Sequence, residues 1–320
     1  MLTMKQKIAV IGAFTTIGQA VLDNLSEEGF LPKDIYVLDS DIKNTTKIPY
    51  NYTMISIQPV EGFKFEKVSI VFLCTPTLLK EQKDDILRYG TYLIDCVGIL
   101  DTGICIIPSL NIKKIKTSQE IINPTALTVT LAQVLEPIHK AYKIQNVETT
   151  ALLSADEFGK NAVTSLINQT RSFYTKEPPE DGPFKKIQAF NLIPEVFPPL
   201  SRQTMSQLKS LLHFPISVYA CLTPIFQGEC YSITISISNQ CSLRQFKKIF
   251  SKNGYCKIID HLNPYLTMTP QDVIHSDFIY LTHISIIAHR PNTFHLWIVC
   301  DSVRTGSAAN AVQIAKHLLA

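Results

Sequence analysis

Between Val10 and Gly18 the chain reads Val-Ile-Gly-Ala-Phe-Thr-Thr-Ile-Gly, an apolar run broken by Gly12 and followed by a helical pattern. A glycine turn between a strand and a helix N-terminus can present backbone N–H groups to a diphosphate. Gly12 suits the tight turn and Gly18 the close packing of helix on strand. The middle position, where phosphates approach most closely and glycine is usual, is Thr15, with bulky Phe14 before it. Gly12, Thr15, Thr16, Ile17 and Gly18 are therefore the candidate cofactor contacts. Asp39, at the end of the second predicted strand, joins them, because a carboxylate there accepts a ribose 2′-hydroxyl and repels the extra phosphate of NADP. A simple strand-ending turn, Asp39-Ser40-Asp41, explains the same residue equally well. Among the eight cysteines no C-x-x-C pair occurs, so no zinc site is expected and most should be buried thiols. Cys74 and Cys96 each follow a predicted strand, and Cys230 adjoins Glu229, although strand alternation turns those two neighbours to opposite faces. His283, His289 and His295 surround a predicted strand–turn–strand without clustering, which gives no metal site.

The elements that must carry these residues follow from hydrophobic periodicity. Up to about residue 125, short apolar runs (Lys7–Ile11, Asp34–Leu38, Val68–Leu73, Tyr92–Asp95, Ile104–Ile107) alternate with helical patterns at Ile17–Glu28 and Leu78–Arg88. That alternation reads as a parallel α/β sheet. A long helix over Thr125–Tyr142 carries Leu127, Leu131, Leu135 and Ile138 on one face, with Pro137 expected to kink it. Beyond it the strands lengthen: Gln145–Leu153, Ile216–Pro224, Tyr231–Ser238, Asp277–Ala288 and Thr293–Cys300, rich in Ile, Thr, Tyr and Val. Helices are expected near Gly159–Tyr174, Arg202–Leu212, Leu243–Ser251 and Gly306–Leu319. Thr175–Phe184, with three prolines, reads as a surface loop.

Composition bounds the rest. A chain of 320 residues with 46% apolar and 18% charged residues can bury a large core and is not disordered. A formal charge of +3, without a basic block interleaved with aromatics, argues against a nucleic-acid partner. No run of eighteen apolar residues occurs, and the N-terminal apolar run is too short for a signal peptide, so a cytoplasmic protein with no membrane partner is expected.

The sequence resembles the aspartate-β-semialdehyde dehydrogenase family almost end to end. The stretches that carry the likeness are Lys7–Gly18, Phe72–Glu81, Val97–Asn111, Ile122–His139, Phe190–Pro194, Pro224–Gly228 and Leu296–Ala315. The resemblance implies a Rossmann-type N-terminal domain with a parallel sheet and an α+β dimerisation domain with an antiparallel sheet, like the C-terminal domain of glyceraldehyde-phosphate dehydrogenase. The first would span 1–125, completed by a C-terminal helix at 302–320, and the second 126–301. It also implies a homodimer formed through the second domain.

The family reduces an acyl phosphate to an aldehyde through a thioester on cysteine, with hydride from NADPH. Such chemistry needs a thiolate, an acid/base imidazole, an orienting amide and arginines for the anionic groups. The family's Asn-Pro-x-Cys motif corresponds to Asn123-Pro124-Thr125-Ala126. Matching Gly159-Lys160 sets the orienting glutamine at Leu153. Matching Pro224, Phe226 and Gly228 sets the family's arginine and histidine at Leu222 and Glu229, and a further arginine falls at Leu100. The Usg-type branch of the family also lacks the cysteine, and this chain is similar to it.

Three readings follow. The leading one is a non-catalytic dimer that binds a small-molecule or protein ligand, with NAD(P) binding allowed by the fold. The second is an oxidoreductase acting on an aldehyde or acyl substrate with NAD(P), using Cys74, Cys96 or Cys230, or no covalent nucleophile. The third is an NAD(H)-binding module without turnover.

Overall fold

The computed structural model describes residues 7–40, 46–77, 80–195, 200–259 and 267–320. Asp41 of the expected turn and Leu78 at the expected helix start lie outside these residues. Contacts within the chain divide it into two units, residues 1–125 with 307–320, and residues 126–306.

The first unit is built on strands β1 (Ile8–Ile11), β2 (Ile35–Asp39), β3 (Lys47–Tyr50), β4 (Thr53–Pro59), β5 (Ile70–Leu73), β6 (Tyr92–Asp95), β7 (Ile104–Cys105) and β8 (Glu120–Ile122). They form one sheet in the order β3-β4-β2-β1-β5-β6-β8-β7, parallel except at the β3–β4 pair. Period-two alternation shares each central strand between two cores. Ile8, Val10, Ile70 and Phe72 enter one cluster, and Ala9, Ile11, Val71 and Leu73 the other. A strand covered on both faces must be apolar throughout, which is why these runs do not alternate with polar residues.

Helix α1 (Thr16–Glu27) buries Val21, Leu22 and Leu25. The terminal helix, Ser307–Leu319, buries Ala308, Ala311, Val312 and Ala315 in the same core. Its small residues allow it to lie close to its neighbours. On the other face of the sheet, helix α2 (Lys80–Arg88) contributes Ile86 to the core. A short helix α3 (Pro108–Asn111) starts at Pro108, so the strand expected to run to Ile107 stops at Cys105. The β3–β4 hairpin and β8 escaped the periodicity reading. The hairpin is half-exposed, and its two-residue turn places Asn51 and Tyr52 at positive φ, the backbone that brings tight hairpin strands together.

The second unit opens with α4 (Ala126–Tyr142), whose buried face includes Leu127, Thr130, Leu131, Leu135 and Ile138. Pro137 sits inside it without ending it. The carbonyl of Gln133, which Pro137 cannot satisfy for want of an N–H, faces the Cys256 thiol at 4.0 Å. The unit's sheet comprises β9 (Ile144–Leu153), β10 (Ile193–Pro194), β11 (Ile216–Leu222), β12 (Glu229–Ile237), β13 (Cys256–Ile258), β14 (Ile279–Ile286) and β15 (Thr293–Cys300), in the order β10-β11-β9-β12-β15-β14-β13. The expected antiparallel sheet is in fact mixed. β11 runs parallel to β9, and β13 runs parallel to β14. The chain between β9 and β11 passes through α5 (Lys160–Thr175) and α6 (Leu200–Leu212), a crossover long enough to return it in the same direction. Helix α7 (Leu243–Lys248) follows a capping box between Ser242 and Gln245.

The segment expected to continue into the terminal helix is broken at Gly306. Residues Ser302–Thr305 form a short separate helix, α8, grouped with the second unit rather than the first. Among the described residues no helix is long and apolar enough to cross a membrane.

Candidate functional site

In the first unit the strand order reverses beside β1, and the carboxyl ends of β1, β2 and β5 meet there. Open α/β sheets bind ligands at such a point. Gly12 follows β1 at φ +88, and a Cβ on it would stand 2.8 Å from Thr75 Cβ. Gly18 is as tightly placed, since a Cβ on it would stand 2.2 Å from Gly12 O.

Thr15 is the N-cap of α1, in ordinary extended backbone at φ −72. Its hydroxyl accepts from Gly18 N at 3.0 Å and lies 2.8 Å from both the Gly12 and the Cys74 carbonyl oxygens. The side chain therefore points into the turn and ties β1 to the end of β5. The Thr15 oxygen is thus taken up within the turn. The first-turn N–H groups of Thr16 and Ile17 lack intrahelical acceptors, as at any helix start. Phe14 is 53% exposed, and Thr16 is exposed as well. The residues present thus fit a dinucleotide's diphosphate at the turn.

Asp39 spends one carboxylate oxygen on Ser40 N at 2.8 Å, the turn geometry that competed with ribose binding. It borders an open groove of about 800 Å³ whose charged lining includes Glu61, Glu66, Glu81 and Asp85 against Lys64 and Arg88. Leu100 is a packing residue of this unit. Its side chain lies against the core that holds Leu38 and Phe65, while its N–H donates to Asp95 Oδ2 at 2.8 Å. Val97 N and Gly98 N bind the other oxygen of that fully buried carboxylate.

In the second unit the sheet register gathers the positions singled out by the resemblance. Leu222 of β11 pairs with Leu153 of β9, and Glu229 of β12 pairs with Cys300 of β15. The β12–β9 register, with Cys230 opposite Leu152, sets Glu229 beside Leu153. Leu222, Leu153, Glu229 and Cys300 thus form one row across four strands, all fully buried. Cys300 Sγ lies 4.0 Å from Thr130 Oγ1, one helical turn along α4 from Ala126. Ala126 is itself 5% exposed, and a Cβ placed on Gly306 would come within 2.5 Å of its methyl.

Around Glu229 the structure adds groups that the sequence did not single out. Tyr231, two residues on and on the same face, donates its hydroxyl to Glu229 Oε2. Asp156 and Glu157 lie in the 3-10 turn Ala155–Phe158 that leaves β9, held by Ala155 N and Asp156 N bonding to Ile225 and Phe226 carbonyls. Ser154 Oγ donates to Asp156 Oδ1. Ser302, the first residue of α8, lies against both Glu157 and Glu229. The only hint of this grouping in the sequence was the Asp-Glu pair just after a strand.

Burial and mutual repulsion hold these carboxyls toward their neutral forms. Glu229 is raised well above the usual carboxylate range by burial and by the charge of Glu157, against the Tyr231 hydrogen bond. Glu157 is pushed up to about 8 by burial and by Asp156, with Ser302 opposing. Asp156 is pushed up to about 6, chiefly by burial, with Ser154 opposing.

Neither Cys230 nor Cys96 shows activation. Cys230 packs among Val273 and Val299 on the face opposite Glu229, and burial pushes it up to about 12. Cys96 is raised well above its ordinary value by its contact with Cys74 and by burial. Thiolates are the reactive form, so both shifts oppose nucleophilic chemistry. Of the three histidines, His295 meets Ser232 at 3.1 Å and His283 meets Thr267 at 3.3 Å. Among the described residues no group of three or more His, Cys, Asp or Glu is arranged to hold a metal.

A sheet with a glycine turn at its switch point, joined in one chain to a mixed-sheet unit, defines a two-unit α/β protein. The semialdehyde dehydrogenase dimerisation domain matches residues 135–305, and the chain belongs to that family. It is 27% identical over 334 residues to an aspartate-semialdehyde dehydrogenase of Rickettsia conorii, covering 99% of each chain. It is 24% identical over 328 residues to a USG-1 protein homolog of Azotobacter vinelandii, covering 98% of this chain and 97% of the relative. Its fold superposes on aspartate-semialdehyde dehydrogenase II of Vibrio cholerae with a TM-score of 0.90 at 21% identity, over 98% of both chains. The Candida albicans enzyme with NADP gives a TM-score of 0.71 at 14% identity, again over 98% of both.

Proposed function

We propose that this chain is a member of the family that does not carry out phosphorylating aldehyde dehydrogenation and acts instead as a dimeric binding or regulatory protein. One observation carries the reading. The row Leu222–Leu153–Glu229 puts two apolar side chains and a buried acid where the resemblance calls for a clamp, an orienting amide and an imidazole. Ala126, in the nucleophile's place, offers only a methyl group.

Asp156 and Glu157 strengthen the case, because the carboxyls beside Glu229 offer no positive charge to a dianionic acyl phosphate. Loss of a nucleophile or its base alone lowers turnover by roughly 10⁴–10⁶-fold. The test is a dehydrogenase assay with aspartate semialdehyde, phosphate and either nicotinamide cofactor. The wild type and Ala126→Cys should both stay at background. Turnover by the single variant would mean that Leu153, Leu222 and Glu229 are not the lost catalytic positions.

The inward-turned Thr15 hydroxyl favours a second reading, in which the first unit binds NAD(H) without turnover. Bound there, the cofactor would supply a hydride donor or acceptor. Thr16 and Ile17 N–H would hold its diphosphate and Asp39 a ribose hydroxyl. Asp39 and the surplus of carboxylates in its groove would select NAD(H) over NADP(H). Calorimetric titration with all four nucleotides decides it, and no heat with any at millimolar concentration removes the reading.

A further inference from the structure

The strands β5 and β6 are each followed directly by a cysteine. They pair in parallel with Leu73 opposite Asp95, and Cys96 N donates to the Leu73 carbonyl at 2.9 Å. One residue further along this register, Cys74 stands beside Cys96. Side chains alternate between the sheet faces, so both thiols share the face of Phe72 and Ile94. The core on that face accordingly holds Phe72, Cys74 and Ile94, with Cys96 packed against it. The two thiols are in hydrogen-bond contact.

Adjacent strands lie about 4.8 Å apart, within the roughly 4.4–6.8 Å between Cα atoms that a disulfide spans. A bond between these sulfurs therefore asks for side-chain rotation and not for strand movement. Cys105 is not so placed. It pairs with Ile122 of β8, which in turn pairs with Asp95 of β6, so β8 separates it from the Cys96 strand. Cys74 is fully enclosed, whereas Cys96 is partly exposed. An oxidant from solvent reaches Cys96 first and leaves Cys74 as the thiol that resolves the product. The contact with Cys74 and burial hold Cys96 in its thiol form, which slows the first step without changing where it leads.

We propose that Cys74 and Cys96 form an oxidation site, closed to an intramolecular disulfide by hydrogen peroxide. Cys96 gives up its proton and its sulfur attacks one peroxide oxygen. The O–O bond breaks, a sulfenic acid forms, and the departing hydroxide takes the proton to become water. The Cys74 sulfur then attacks the sulfenic sulfur. The S–S bond forms as the S–O bond breaks, and the oxygen leaves as a second water carrying the Cys74 proton. Both sulfurs are oxidised and the peroxide is reduced.

The bond bears on the glycine turn. Cys74 N donates to the Ile11 carbonyl at 2.9 Å, the Cys74 carbonyl lies 2.8 Å from the Thr15 hydroxyl, and a Cβ on Gly12 would stand 3.0 Å from the Cys74 carbonyl carbon. The disulfide fastens this backbone covalently to the end of β6. It is independent of the reading of the second unit.

The experiment treats the reduced full chain with hydrogen peroxide, blocks the remaining thiols with N-ethylmaleimide and maps the unreduced peptides by mass spectrometry. The expected product joins the Cys74 and Cys96 peptides with the loss of two hydrogen atoms, and dithiothreitol should return both thiols. Cys74→Ser should lose the cross-link and leave a sulfenic acid at Cys96 that dimedone traps, where the wild type gives the cross-link instead. Cys96→Ser should lose it and leave Cys74 a free thiol. Oxidised wild type should melt above the reduced form, a shift that neither variant shows, because a cross-link restricts the unfolded chain. Cys74→Ala replaces Cys74→Ser if the buried hydroxyl prevents folding.

Sulfinic acid at Cys96 with Cys74 still free overturns the proposal. So does a disulfide from either residue to Cys105 or to a second chain, and so do two free thiols after prolonged exposure to peroxide.

Discussion

The glycine turn of the first unit and the Leu222–Leu153–Glu229 row of the second have both departed from the pattern that their family resemblance implies, but in physically different ways. At the turn, Thr15 adds a side chain and then uses it locally, capping α1 and bridging the Gly12 and Cys74 carbonyls. The backbone that would meet a phosphate is left in place. In the row, apolar side chains and a buried carboxyl stand where the proposed reading expects groups suited to an anion. A substitution whose polar atoms are satisfied from within preserves a binding geometry. One that reverses the charge of a buried site replaces it.

Breaking the turn should have the largest effect. Gly12→Ala places a methyl 2.8 Å from Thr75 Cβ on backbone at φ +88, and should lower stability by about 3 kcal/mol in chemical denaturation. A loss below about 1 kcal/mol would mean that the turn relaxes freely and is not held by β5.

The row predicts a pH dependence that the turn does not. Glu157 has a folded pKa raised from 4.5 to about 8, so its contribution to stability is complete below the unfolded value and is lost as pH rises through about 8. Asp156, raised from 3.8 to about 6, acts in the same direction over a lower window. Stability attributable to these groups should therefore fall between about pH 4.5 and 8, and Glu157→Gln should remove about 2 kcal/mol of that slope. Melting curves across that range for both proteins would test it, and parallel profiles would count against ionisation of Glu157.

The smallest expected effect sharpens the contrast. Thr15→Ala removes a helix cap and should reduce stability by about 1 kcal/mol while leaving any heat of NAD binding within about twofold. Loss of binding in this variant would make Thr15 a ligand contact rather than an internal brace.

Much of this was legible in the residues. The buried runs of β1 and β5, the glycines at 12 and 18, and the strand Thr293–Cys300 follow from local pattern, because full burial, the positive φ of Gly12 and the close packing of Gly18 leave direct marks on residue choice. The hairpin Lys47–Pro59 did not, since β3 is only four residues long and β4 is exposed along most of its length. The direction of β11 did not either. Parallel and antiparallel pairs have nearly the same side-chain pattern, and only the crossover through α5 and α6 decides between them. For the site, the likeness named Ala126, Leu153, Leu222 and Glu229, whereas Asp156, Glu157, Tyr231 and Ser302 went unnoticed because they come from separate stretches of chain.

By itself, the sequence determined the residue types: an alanine after Asn-Pro-Thr, leucines at 153 and 222, an acid at 229, and a threonine in the glycine turn. Only the tertiary structure decided what those types do. It aligned two leucines and a glutamate in one row, brought two more carboxyls and a serine to the same place, and turned Thr15 inward. Composition sets which groups exist, but their pKa values, partners and unmet hydrogen bonds depend on distances between atoms far apart along the chain.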